Sequence, residues 1–139
     1  MKNAIFTPLL LSSLIFSASA AFAADNDLFS GMYSVQMSRQ AKPEKFFVKK
    51  VDGIYTLKMI NENSQSGTPF DMEMMPDATL NRIKPGFTSA DELQCGVAGI
   101  MVLCHVKPQT ALNAGQFVAR TGYFAIIEGV GAVEVVKLN

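Results

Sequence analysis

Phe46-Phe47-Val48-Lys49-Lys50-Val51 and Ile54-Tyr55-Thr56-Leu57-Lys58-Met59-Ile60 flank the dipeptide Asp52-Gly53. Both runs are rich in β-branched and aromatic residues, and Tyr55, Leu57 and Met59 alternate with Thr56 and Lys58. An apolar period of two puts every second side chain on one face of a strand. Asp-Gly between two such runs supplies the positive φ that a tight hairpin turn demands. The stretch predicts an antiparallel hairpin, and its neighbours extend the pattern.

Upstream, Tyr33, Val35 and Met37 alternate with Met32, Ser34 and Gln36 as a first strand. Downstream, Asn61 to Gly67 is a wholly polar loop, and Phe70-Asp71-Met72-Glu73-Met74 then alternates with Phe70, Met72 and Met74 facing in. Asp77 to Gly86 reads as irregular, with Leu80 and Ile83 as anchors. Ser89-Ala90-Asp91-Glu92 has the S-x-x-E form of a capping box, so one or two helical turns are expected after it. Ile100-Met101-Val102-Leu103-Cys104-His105-Val106 is a continuous apolar run of the kind buried on both faces, ended by Pro108. Gln109 to Gln116 reads as a linker or short helical turn. Phe117-Val118-Ala119, Tyr123–Glu128 and Ala132–Leu138 follow, the last two joined by the turn Gly129-Val130-Gly131. The fold class is mainly β, with six to seven antiparallel strands and at most one short helix. It is a small antiparallel β-barrel or a two-layer β-sandwich, and the tight turns favour the barrel.

The first residues carry a different message. Met1-Lys2-Asn3, the apolar stretch Ala4–Phe16 and the small residues ending Ala21-Phe22-Ala23 have the layout of a cleaved signal peptide. Residues 1–23 are read as that leader and 24–139 as a single β domain, periplasmic or secreted. No apolar run reaches the ~20 residues that a membrane-spanning helix needs. With Lys2 removed from the 12 basic residues, the 12 acidic ones leave a net charge near −1, giving no electrostatic reason to bind nucleic acid or an anionic surface. Two cysteines, Cys95 and Cys104, in an oxidising compartment read as one disulfide.

The chemistry-bearing residues are sparse. His105 is the single histidine, and strand neighbours point to opposite faces, so it and Cys104 cannot form a nucleophile–base pair. Asp71 and Glu73 share a strand face, which solvent-facing alternation already explains. No phosphate-binding loop, nucleophile elbow or zinc-protease motif is present. Met72 and Met74, with His105 across a sheet, form a candidate soft-metal set for Cu(I), although core packing explains an i, i+2 methionine pair more simply. Ser30-Gly31-Met32-Tyr33 falls one residue short of the Ser-Gly-x-x-Tyr loop of periplasmic lysozyme inhibitors, and nothing else in the chain matches. It reads as a glycine bend into the first strand. Phe29 and Phe87 lie outside the clear strands and read as surface anchors.

These features point to a non-enzymatic exported binding protein of the cell envelope, needing no cofactor or metal. Its first-ranked partner is another protein, bound as an inhibitor or immunity protein would bind it. The segments Asn61–Gly67, Asp77–Ser89 and Gln109–Gln116 are the candidate binding loops. The alternative is a small barrel that carries an apolar ligand.

Overall fold

The computed structural model describes residues 27–60 and 68–139. Residues 1–23, read as a leader, and the polar segment Asn61–Gly67 lie outside the described residues. The elements in chain order are β1 (Gly31–Val35), β2 (Glu44–Val51), β3 (Ile54–Ile60), β4 (Phe70–Met74), α1 (Asp77–Ile83), β5 (Gln94–Ala98), β6 (Met101–His105), β7 (Thr110–Leu112), β8 (Phe117–Ala119), β9 (Tyr123–Ile127) and β10 (Gly131–Lys137). Eight strands close a barrel in the order β1-β10-β9-β6-β5-β4-β3-β2, while β7 and β8 form a separate hairpin. Every barrel pairing is antiparallel, and β1 pairs with both β10 and β2. Closure leaves the barrel without the exposed edge that a sandwich would have to protect.

The deciding hairpin forms as its residues dictate. Val51 pairs with Ile54, and both turn residues have positive φ, 53° at Asp52 and 81° at Gly53. That is the turn whose twist matches two antiparallel strands. Phe46 and Val48 of β2 stand opposite Met59 and Leu57 of β3 and point into the barrel.

Three expectations change. The capping-box sequence leads into a strand rather than a helix: Cys95 pairs with Cys104 and Gly96 with Leu103. Long-range pairing with the apolar β6 outweighs the local signal. Gly96 also has a packing role, because a Cβ there would lie 2.7 Å from Met72 Cγ. The short helix sits instead at Asp77–Ile83, where Leu80 and Ile83 pack inward one turn apart. Within Gln109–Gln116 the short strand β7 precedes a 3₁₀ turn at Asn113–Gly115, so the segment is more than a linker, and β5 and β7 raise the strand count above the expected six to seven.

The molecule has two apolar cores. The inner one fills much of the barrel with Tyr33, Val35, Phe46, Val48 and Leu57 from β1–β3, which reach across to the smaller Ala98 and Ala125 of β5 and β9. Phe29 belongs to this core at 1% exposure, contrary to its reading as a surface anchor. The outer core lies behind β5, β6 and β9, where α1, β7 and β8 cover Cys95, Cys104 and Phe124. Phe87 packs against it, half-buried. The β4–β5 and β6–β9 connections are long because they build this cover.

Candidate functional site

The two ends of the barrel differ. At one end the segment Asp27–Phe29 lies across the opening and is held by all three tyrosines of the chain. The Tyr33 hydroxyl donates to the Phe29 carbonyl at 2.6 Å, Tyr55 to Asp27 Oδ1 at 2.6 Å, and Tyr123 to the Leu28 carbonyl at 2.7 Å. Lys137 Nζ also donates to Leu28 at 3.2 Å and stands over the rings of Tyr33 and Tyr123. Phe29 meets Tyr55 edge-on at 5.9 Å. Burial opposes ionisation of Asp27, but hydrogen bonds from Ser30 and Tyr55 and from the Ser30 and Phe29 backbone outweigh it and hold its carboxyl at about 2. Burial pushes the Tyr33 hydroxyl far above the ordinary phenol range, and the neighbouring Tyr123 and Asp27 add to the shift. Burial also raises Tyr123, partly offset by its hydrogen bond with Tyr33. This end is a packed plug.

Among the described residues, the opposite end is open. There β1 and β3 finish, β4 begins, and the turns β5–β6 and β9–β10 come together. A cavity of about 350 Å³ enters the barrel here. Leu57, Met59, Ala98, Met101 and Ile127 line its wall, with Met37 and Phe70 nearer the rim. Glu44 is the one charged residue in that lining among the described residues. The volume is at the lower end of the range for small-molecule sites. Larger depressions of about 730 and 760 Å³ are more open troughs, the first lined by Asp71 and Glu73 beside Tyr55 and Met72, the second by residues such as Arg39 and Glu134. The mouth is built mainly from inward-facing apolar residues.

No family model, curated protein or solved structure matches this chain. Its function has to be argued from its own chemistry.

The residues singled out from the sequence are scattered. Cys95 and Cys104 stand directly opposite on β5 and β6, with their sulfurs 2.06 Å apart. Cys95 sits in the neighbouring strand rather than in a loop, so the bridge cross-links one hairpin under the outer cover. Met72 is buried at 3% exposure against Gly96, whereas Met74 is at a strand end and 37% exposed. His105 pairs with Gln94 and Tyr123, and Met74 with Gly96, two rungs away. The candidate Cu(I) residues therefore occupy different rows of the wall. The His105 ring packs on Tyr123 at 4.8 Å with Nδ1 buried and unpartnered, while Cys104 faces the outer core. Asp71 and Glu73 are exposed on the outer wall. Ser30–Tyr33 enters β1 at the plugged end. Sequence reasoning missed the mouth, because Met37, Phe70, Ala98 and Met101 come together only once the barrel closes. The one available signal was the set of apolar residues at strand ends, where polar residues would serve solvation better.

Proposed function

We propose that this is an exported, non-catalytic binding protein that takes an apolar group into the open mouth of its barrel, as a small carrier does. The observation that carries the reading is the asymmetry of the ends: one is plugged by Asp27–Phe29, and the other opens on an apolar cavity of about 350 Å³. An eight-stranded barrel is wide enough to fill with side chains or to hold one small ligand. Here it does the first at the plug and leaves room for the second at the mouth. The non-catalytic part of the reading is supported by the placement of the reactive groups. The cysteine sulfurs are at bonding distance, His105 is packed against Tyr123, and the Asp71 and Glu73 carboxylates are on the outer wall.

Native mass spectrometry of the protein purified from its own host tests this. The expected result is an added mass that extracts into organic solvent and is absent from Ala98→Leu, which fills the cavity from its wall. A bare protein mass for both forms would contradict the proposal.

The protein-partner reading keeps one specific observation in its favour. Phe70, Ile100 and Val130 stand at the mouth end and are 46%, 65% and 50% exposed. An apolar rim of this kind suits an inserted side chain of a partner as well as a free ligand. Partner capture with the wild type and with Ile100→Asp distinguishes the two, since a protein partner would be lost from the variant.

A further inference from the structure

The mouth is apolar except at one place, and that place is organised. Glu44 opens β2, and its exposed carboxylate is the single charge lining the mouth among the described residues. Phe70 opens β4, with β3 between it and Glu44, and both residues line the one cavity. The ring lies against the β5–β6 turn, where Gly99 has φ +61° and a Cβ would sit 3.2 Å from Phe70 Cδ1 and Cε1. Glycine at that turn lets the ring settle against the backbone while 46% of the residue stays exposed. A carboxylate and an exposed aromatic ring at the edge of an apolar cavity favour the same kind of group, a cation.

We propose that the mouth selects an amphiphile with a cationic head: its alkyl chain enters the barrel, and an ammonium group rests between the Glu44 carboxylate and the Phe70 ring. The inference rests on the reading of the mouth as a site for an apolar group and adds the class of the head. Other charged residues belong to the same end. Glu128 follows β9, directly after the lining residue Ile127, and its sign agrees with a cation. Arg39 and Lys42 lie in the β1–β2 connection, and Arg39 lines the outer trough with Pro43 and Glu134 instead of the mouth. Lys45 is the next residue on β2 and therefore points to the outer face.

Titration calorimetry with three probes of equal chain length, each below its micelle concentration, tests the proposal: dodecyltrimethylammonium, dodecyl maltoside and dodecanoate. The ammonium should bind about three- to tenfold tighter than the maltoside, the sum expected of one exposed ion pair and one exposed cation–π contact, and dodecanoate should bind weakest. Glu44→Gln, a change at an exposed position, should remove most of that margin and leave maltoside binding unchanged. Phe70→Leu, which keeps the apolar volume, should remove the remainder. Dodecanoate binding as tightly as the ammonium, or an unaltered ratio in Glu44→Gln, would overturn the head selectivity while leaving the apolar site standing. Absence of binding by all three chains would overturn both.

Discussion

Replacing Phe29 by alanine should remove much of the stability of the domain, although Phe29 lies outside every strand. The residue is 1% exposed, packs edge-on against Tyr55 at 5.9 Å, and belongs to the inner core. Truncating a buried phenylalanine costs about 3–5 kcal/mol, because the lost transfer free energy is joined by the cavity left behind. The contact with Tyr55 accounts for roughly 0.5–1 kcal/mol of that. Domains of this size are stable by about 5–15 kcal/mol, so the variant should still fold in cold buffer but close to its limit. With a urea slope near 1.5 kcal/mol/M, a loss of ~3.5 kcal/mol moves the unfolding midpoint down by about 2 M. The assay is urea unfolding of residues 24–139 with the disulfide intact, followed by near-ultraviolet circular dichroism. Phe29→Leu serves as the control and should recover more than half of the loss, since it keeps most of the volume. A surface anchor would cost no more than about 0.5 kcal/mol. A midpoint shift below about 0.5 M for Phe29→Ala would refute the plug.

Four further outcomes follow from the same geometry. Asp27 is exposed, and its lowered pKa, discounted for solvent screening, corresponds to about 1 kcal/mol. Because the folded pKa lies below the unfolded one, that stability is present above pH 3.8 and fades as pH falls through about 2, so the gap between wild type and Asp27→Asn should close over that window in acid unfolding curves. Tyr33 has its pKa raised, so its contribution is complete below pH 10 and is lost as pH rises beyond it; Tyr33→Phe should flatten this alkaline loss and cost about 1–2 kcal/mol at neutral pH through the orphaned Phe29 carbonyl. Reducing Cys95–Cys104 should lower stability by about 2.5–3 kcal/mol in the chain-entropy account, measured by thermal unfolding with and without reductant. Gly96→Ala should cost about 1–3 kcal/mol, since its Cβ would approach Met72 Sδ to 2.8 Å, and a double-mutant cycle with Met72→Val should show the cost largely relieved.

Much of the barrel was legible because its information is local. The alternation in Phe46–Ile60 and the Asp52-Gly53 turn specify a hairpin whatever the rest of the chain does. The β9–β10 turn is read the same way from its glycines. Gln94–Ala98 was misread because its strand character comes from its partner: the sequence between Ser89 and Gly99 carries a helix-start signal, and only pairing with Met101–His105 overrides it. The helix at Asp77–Ile83 was hidden by its length, too short for a periodic pattern, although Leu80 and Ile83 already stood one turn apart. Phe29 shows the same limit from another side, since nothing local announces that the distant Tyr55, Tyr123 and Lys137 will join the nearby Tyr33 around residues 27–29. The cysteine pair was legible as a pair, and its place under the outer cover was not. The mouth was the least legible part, because strand closure alone brings residues from β3 to β9 around one opening.

The central claim, that an apolar chain enters this mouth and nowhere else, is tested most directly by the methionine-methyl NMR spectrum of residues 24–139. The methyl groups report separate places: Met37, Met59 and Met101 in the mouth, Met72 in the packed core beside Gly96, and Met74 at the far end of β4. Titration with a dodecyl-chain amphiphile should shift the first three together along one saturable curve and leave Met72 and Met74 in place. Shifts confined to Met74, or spread equally over all seven methionines of residues 24–139, would contradict the account.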